Sequence, residues 1–378
     1  MGELGELKED VMRSCAAFFC LISFPAVAAA QPVWRLDRAP SIEVGRAPIE
    51  LHRVVDAALL ASGELAIADA GNNRIIIVSP QGRLVRAIGR AGAGPGEFRG
   101  LSRISIVGDT VVAYDALQTR ASAFRLDGTH VHTRALPSLN DRPVFFLDAV
   151  SATQYVGVIP VRSTAQTNMR RDSIALVLAD STTHTLGTRE WQYTYTVSQG
   201  SGSTTYRTPF LGETHVEAVG DHLAVAPRGS AMVEIVDVAG GTSRRVNLPI
   251  RRRPFDNAVV TAYRDSLLAG GASGTSAERI RLVFGNRFPV PAGAAATAVE
   301  RMSVVGPNVW VKEAAAEAGA TSNWYVVNPV AARVIGRVEL PRAWTVLGGD
   351  ARRVIVLVRD SNGVEGVRVY PIVNAPRS

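Results

Sequence analysis

Residues 63–100 read GELAIADAGNNRIIIVSPQGRLVRAIGRAGAGPGEFRG, and what the glycines near the end are for decides the fold. Three short apolar runs, GELAIAD, RIIIVSP and RLVRAIGR, are separated by polar turns, the pattern of antiparallel strands. A nucleotide-binding loop needs a helix after its glycines, so that the first amides point at phosphate. Here Pro95 and another strand pattern, LSRISIV (101–107), follow instead. Gly92, Gly94 and Gly96 therefore give a sharp descent from the last strand of one unit to the first strand of the next, with Phe98 filling the gap between them.

That joint implies a repeat, and the chain has one with a period near forty-five residues. Six β-rich segments share a tight turn and an alternating strand: GELAIAD (63–69), DTVVAYD (109–115), TQYVGVI (153–159), DHLAVAP (221–227), PNVWVKE (307–313) and RRVIVLVRD (352–360). An apolar strand precedes each: VVDAALL, LSRISIV, VFFLDAV, HVEAVG, VERMSVV and AWTVLGG. A third strand follows each, and five units have a fourth. The sixth unit runs out of chain at Ser378, while VWRLDRAPSIEVG (33–45) is a strand pattern standing before the first unit. An N-terminal strand that completes the last sheet closes a ring and removes exposed edges. The expected fold is all-β: a six-bladed β-propeller over residues 31–378, with strand 33–45 completing blade 6 and a short helical insertion between blades 4 and 5.

ADAGNNRIIIVSPQGRLVRAIGRAGAGPGEF (68–98) resembles the NHL-repeat signature, an Asp-containing turn, Asn-Arg-Ile, a strand and a GxGPGEF joint in order. FPVPAGAAATAVERMSVVGPNVWV (288–311) is similar to a later blade of secreted bacterial propellers of that type. The resemblance implies the six-bladed ring. Some six-bladed relatives are metal-dependent lactonases or zinc lyases, but their ligand sets do not lay residue by residue onto this chain.

The bounds agree with an exported globular protein. Hydrophobic residues make up 47% of the 378 and charged ones 20%, which supports a real core. MRSCAAFFCLISFPAVAAA (12–30) has one basic residue, a short apolar stretch and an Ala-Ala-Ala end, the layout of a signal peptide cleaved before Gln31. The stretch is too short for a membrane span, so the mature chain is expected to carry none and to be periplasmic or secreted. The acidic leader MGELGELKED fits no signal, which points to Met12 as the translation start. Cys15 and Cys20 both lie in residues 1–30, so disulfides and thiolate chemistry are excluded from the mature protein. Removing that leader takes away two basic and four acidic residues and moves the formal charge from +7 to +9. Lys312 is the one remaining lysine, and arginines are scattered over every segment rather than gathered, which argues against nucleic acid as a partner.

In a four-stranded antiparallel blade, the turns between second and third strands and the joints between blades emerge on one side of the disc. All the long segments fall on that side: 162–172, 191–213, 250–297 and 314–322. Long loops on a rigid scaffold are where binding surfaces sit, and this side is called the decorated face below. Segment 191–213 alternates Trp191, Tyr193, Tyr195, Tyr206 and Phe210 with small polar residues, and reads either as an adaptable contact loop or as a hairpin extending blade 3. In 250–297, Asp256 can cap a helix whose Val259, Tyr263 and Leu267 share a face, ended by Gly270-Gly271; a second short helix fits 276–284.

Asp69, Asp115, Glu313 and Asp360 end their strands near the decorated face, and an acidic rim can hold a divalent cation through oxygen ligands. The competing reading pairs Asp69 with Arg74 and Asp115 with Arg120, since the same five-residue spacing occurs twice. His130 and His132 lack two further zinc ligands, and His215, opening an inner strand, is the best single histidine for a site. The leading expectation is a binding protein that recognises a peptide, glycan or protein ligand on the decorated face through Trp191, Tyr193, Tyr195, Tyr206 and His215. No cofactor is required. The alternative is a lactonase-like, metal-dependent hydrolase or lyase acting at the central channel, with a cation on Asp69, Asp115 or Glu313.

Overall fold

In the computed structural model of the chain, Ile75, Ile76, Ile77 and Val78 are all buried, although successive strand residues point to opposite faces of a sheet. Both faces of that sheet are covered, and what covers them is the next sheet on either side. The structure describes residues 31–374 except 137, 140–141, 150–153, 162–168, 180–182, 200–201, 208–210, 240, 253–254, 256, 270–273, 285–294 and 315–318.

Among the described residues, six sheets of four or five strands follow one another along the chain, with a two-stranded ribbon, Ser138–Leu139 and Arg142–Pro143, between the second and third. Blade 1 runs inner to outer as Val54–Leu59, Leu65–Asp69, Arg74–Val78 and Leu84–Ile88. Blades 2 and 4 repeat it with Leu101–Val107 to His130–Ala135 and His215–Val219 to Ser243–Asn247. Blade 3 begins at Phe145–Ala149, blade 5 at Val299–Val305 and blade 6 at Thr345–Gly349. The inner strands are neighbours in order, and that of blade 6 packs against that of blade 1. Each interface between blades has its own apolar core, so six cores, not one, run around the ring. The chain is a six-bladed β-propeller.

Closure divides the N-terminal segment in two. Ile42–Val44 pairs antiparallel with Glu365–Pro371 and is the outermost strand of blade 6, whereas Val33–Trp34 lies parallel to Arg333–Pro341 as a fifth strand on blade 5. The expectation of one strand over 33–45 is corrected accordingly. The reason is local: Gly336 has no side chain where the indole of Trp34 sits, so Trp34 is buried against blade 5 before the chain crosses to blade 6. Just past that strand, where the chain leaves blade 6 for blade 1, Gly45 takes φ +121° with the Glu365 backbone where a Cβ would stand, a position that glycine alone fills without strain. Glu365 then joins blade 6 to blade 1, accepting the Val54 N–H at 2.6 Å and the Arg359 guanidinium.

The joint read from residues 91–100 is a connector. Phe98 is buried and rests 5.9 Å from the Phe124 ring, and the Glu97 carboxylate accepts the Gly94 N–H at 2.8 Å. Segment 191–213 is built mainly as the hairpin: Thr183–Gln199 continues past the blade body and turns back as Gly202–Arg207, pairing also with Met169–Asp172. Because Val161 at the end of the second strand lies level with Ser173, this extension stands on the decorated face. Between blades 4 and 5 lie α1 (Asn257–Ala269) and α2 (Gly274–Val283), which bury Val260 and Ala277. Asp256, Phe210 and segment 162–168 lie outside the described residues, as do the side chains of Val259, Tyr263 and Leu267. Among the described residues, no helix is long and apolar enough to cross a membrane.

Candidate ligand site at the mouth of the central channel

The inner strands surround a cavity of about 600 Å³ on the ring axis. In five of the six, pairing with the second strand slips by one residue, and the residue after the slip is Asp56, Arg103, Asp148, Arg301 or Gly348. All five line the cavity. A bulge re-aims a side chain that regular alternation would send into the space between blades, and here it turns charged groups toward the axis. Blade 4 has no slip and contributes Glu213, His215 and Glu217. Blade 6 contributes only apolar residues and glycine.

Every inner strand starts at the decorated face, because it follows an inter-blade joint. The cavity is therefore graded. Glu213 and Glu300 stand outermost at its mouth on that face, with Asp56, Arg103, His215 and Arg301 level with one another just inside it. Glu217 and Asp148 share the next level, and Leu59, Ile106, Ala218, Val304 and Gly349 line the far end.

Arg103 organises the middle. Its guanidinium donates to Glu217, bridging blade 2 to blade 4, and burial is outweighed by Glu217 and Asp56, so the group is held protonated. Asp56 accepts the Ala57 N–H at 2.9 Å and the Ile104 N–H at 3.1 Å. Burial raises its pKa to about 6 against the pull of Arg103. Asp148 accepts from the Ser105 hydroxyl, and burial raises its pKa as well. Burial lowers that of His215 despite the nearby Glu213 and Glu217, so the imidazole is held neutral. At the mouth, Lys312 donates to Glu300 at 2.7 Å and to the Arg342 carbonyl at 3.4 Å, fixing the outer carboxylate in place. The arrangement offers charge-assisted donors and acceptors around one opening.

The acids read from the sequence do not join this cavity. Asp69 is fully buried and accepts the His52 N–H at 2.9 Å, Asn72 Nδ2 at 2.8 Å and Arg74 Nε at 2.8 Å. Asp115 accepts the Arg99 N–H at 2.7 Å and two donors of Gln118. Each therefore ties a joint to its own blade, at a residue two places before the inner strand begins. Arg120 corrects the expected second pair: it donates to the carbonyls of Ala93, Gly94 and Glu97 in the glycine-rich joint. Glu313 accepts from Asn323 at 3.0 Å and Tyr325 at 3.3 Å, and Asp360 accepts N–H groups within its own turn. None of the four acids lines the channel, and among the described residues no group of three His, Cys, Asp or Glu is placed to hold a metal.

His215 does line the channel. Trp191 is half-buried against the core between blades 3 and 4, and Tyr193 is buried beneath Arg228, whose guanidinium carbon stands 3.9 Å from the ring centroid. Tyr195 and Tyr206 are cross-strand partners in the hairpin, and their side chains lie outside the described residues. His130 bonds Thr133 at 2.8 Å and packs on Phe124. Sequence reasoning passed over Asp56, Arg103, Asp148, Glu217 and Arg301. Each carried a signal, a charge interrupting the apolar pattern of an innermost strand.

A family model described as a 6-bladed beta-propeller, DUF5128, matches residues 52–168, from the joint before blade 1 into blade 3. No curated protein matches the chain. Among solved structures it is similar to a putative exported protein from Bacteroides fragilis, with 11% identity over 90% of this chain and 99% of that one and a TM-score of 0.49. It is also similar to a member of the DUF4221 family from Bacteroides vulgatus (9% identity, 91% and 100% covered, TM-score 0.46). A third is a catalytically inactive virginiamycin B lyase from Staphylococcus aureus with quinupristin (10%, 85% and 95%, 0.41).

Proposed function

We propose that the protein is an exported propeller of the NHL type that binds a peptide, glycan or protein ligand on its decorated face, centred on the mouth of the channel. One observation carries this reading: the charged half of the axial cavity opens on the side that also bears the blade 3 hairpin and the α1–α2 insertion. A concave site with a few convergent polar groups inside a rim of long loops is the usual form of a ligand site. Export follows from the signal-like residues 12–30, and N-terminal sequencing of the protein from its host is expected to give Gln31 as the first residue.

The test is a peptide and glycan array probed with the wild-type protein, Glu300→Gln, Arg301→Gln and a control on the opposite face, Asp109→Asn. Ligands captured by wild type and control but lost by both mouth variants support the site. Capture that none of the variants alters refutes it.

A second reading, a hydrolase or lyase acting in the channel, is favoured by one feature, the Asp56 carboxyl, whose pKa burial raises to about 6 in the cavity that Asp148 also lines, a state suited to general acid chemistry. Turnover of an array ligand that Asp56→Asn abolishes while leaving its binding intact would establish it. A divalent cation belongs to this reading alone, and elemental analysis of the purified protein tests for it.

A further inference from the structure

The axial cavity carries more negative charge than its own cations balance. Five carboxylates line it, those of Asp56, Asp148, Glu213, Glu217 and Glu300, against the two guanidiniums of Arg103 and Arg301. At the mouth, Lys312 answers Glu300. Further in, Asp56, Asp148 and Glu217 all act on Arg103, yet only Glu217 receives a hydrogen bond from it. Burial raises the pKa of Asp56 and of Asp148, and the nearby Glu217 pushes both the same way. A carboxylate taken from water keeps its charge when a cation stands beside it, so a second cation is what this group lacks.

The open acceptors show where that cation fits. Asp148 Oδ1 accepts from the Ser105 hydroxyl and from the Ala149 N–H at 2.9 Å, and Glu217 Oε2 accepts from Arg103. Asp148 Oδ2 and Glu217 Oε1 accept no hydrogen bond among the described residues. These two acids come from neighbouring blades and share one level of the channel. Among the described residues no three acidic or imidazole groups are placed to hold a metal ion, whereas an ammonium has three N–H donors to aim at separate oxygens. One level nearer the mouth, Arg301 has no hydrogen-bonding partner among the described residues and offers its donors to an oxygen. Beyond the two acids the lining turns apolar, with Leu59, Ile106, Ala218 and Val304. From the far end to the mouth the wall therefore presents an apolar surface, open carboxylate oxygens and a free guanidinium. The first residue of a peptide carries the complementary set, a side chain, an α-ammonium and a carbonyl on one carbon. A cavity of about 600 Å³ is within the range that encloses a ligand of that size. No Trp, Tyr or Phe among the described residues lines it, so a sugar ring finds no flat face there.

We propose that the axial cavity receives an α-ammonium group with an apolar side chain, the ammonium held by Asp148 and Glu217 and the side chain in the apolar far half. Arg301 meets the carbonyl or carboxylate oxygen that follows. The proposal deepens the reading of the channel mouth as the ligand site and rests on it. A free amino acid and the first residue of a peptide both carry this chemistry; a peptide enters amino end first, and its later residues pass out by Glu213 and Glu300 toward the long loops of the decorated face.

Calorimetric titration of the purified protein with Leu-Gly-Gly and leucine, with the N-acetyl form of each, and with Gly-Gly-Gly and glycine tests this and separates the two sources. Leu-Gly-Gly or leucine is expected to bind at least tenfold more tightly than its acetylated and its glycine counterparts. Tighter binding of the tripeptide assigns the site to peptide ends, and equal or tighter binding of leucine assigns it to the free amino acid. Asp148→Asn and Glu217→Gln keep an oxygen acceptor for Ser105 and for Arg103, and each is expected to weaken binding at least tenfold in a variant whose melting temperature shows it folded. Acetylated or glycine probes that bind as tightly as the leucine ones, no binding by any probe, or affinity unchanged in both folded variants overturns the proposal, and the first two outcomes need only the wild-type protein. Failure of the wider reading looks different: ammonium binding that depends on Asp148 and Glu217, together with array ligands indifferent to Glu300→Gln and Arg301→Gln, would retain the inner site and discard the mouth.

Discussion

A carboxyl with a raised pKa and an imidazole with a lowered one face the same cavity, and their effects on stability have opposite signs. Asp56 binds its proton more tightly folded than unfolded, 3.8 rising to about 6, so its contribution is fully present below 3.8 and is lost as pH rises through 6. At about 1.4 kcal/mol per unit, that amounts to at most about 3 kcal/mol. His215, held neutral by burial, contributes above its unfolded value and loses that contribution as pH falls. Comparing Asp56→Asn with wild type isolates the first effect: in urea unfolding from pH 4 to 7, wild type should lose stability relative to the variant, and parallel curves would contradict the assignment. Asp148 and Arg103 face the same pocket and are unchanged in both proteins, so they cancel in the difference. Asp69 is a structural acid, and Asp69→Ala, which strands three donors, is expected to cost about 2–4 kcal/mol in the same assay. Arg103→Leu leaves Glu217 facing Asp56 and Asp148 without their cation and is expected to cost about 3–5 kcal/mol.

At the level of elements, the blade strands were legible because each unit repeats a short alternating pattern, and the loop sidedness followed from antiparallel pairing alone. The joint at 91–100 was legible for a negative reason, the lack of any helix after its glycines. What sequence could not give was the one-residue slips in the inner strands, since a bulge is a relation between two strands and neither strand's own pattern announces it. Without the slips, Asp56, Arg103 and Asp148 read as charges lost between blades, whereas Asp69 and Asp115, which stitch joints to blades, end their strands as plainly as site residues would. The aromatic segment was ambiguous because alternation is common to a half-buried strand and to an aromatic contact loop. The hairpin extension makes its own prediction: replacing residues 196–205 by a two-residue turn should shift unfolding by under about 1 kcal/mol, because Thr196 and Thr205 pair at the surface away from the blade cores. Capture of array ligands should weaken in that variant if the extension is part of the rim.

Around the whole molecule, six cores stand between neighbouring blades, and closing the last of them depends on residues more than three hundred positions apart. Trp34, Ile42 and Val44 are each at most 5% exposed, so removing residues 31–45 takes away of order 5 kcal/mol of apolar burial and reopens the edge of blade 6. Lost cooperativity and a lower melting temperature are the expected result, and an unchanged melt would show that the N-terminal strands are not what closes the ring. Each inner strand follows an inter-blade joint on the decorated face, so all six run in one direction, and their charges lie toward that end of the channel. The most direct measurement is hydrogen exchange on the protein with and without a ligand captured on the array. Added protection should map to the starts of the inner strands, around Glu213–Glu217 and Glu300–Arg301, and to the blade 3 hairpin. Protection confined to the turns of the opposite face, around Asp109 and Asp221, would contradict the account.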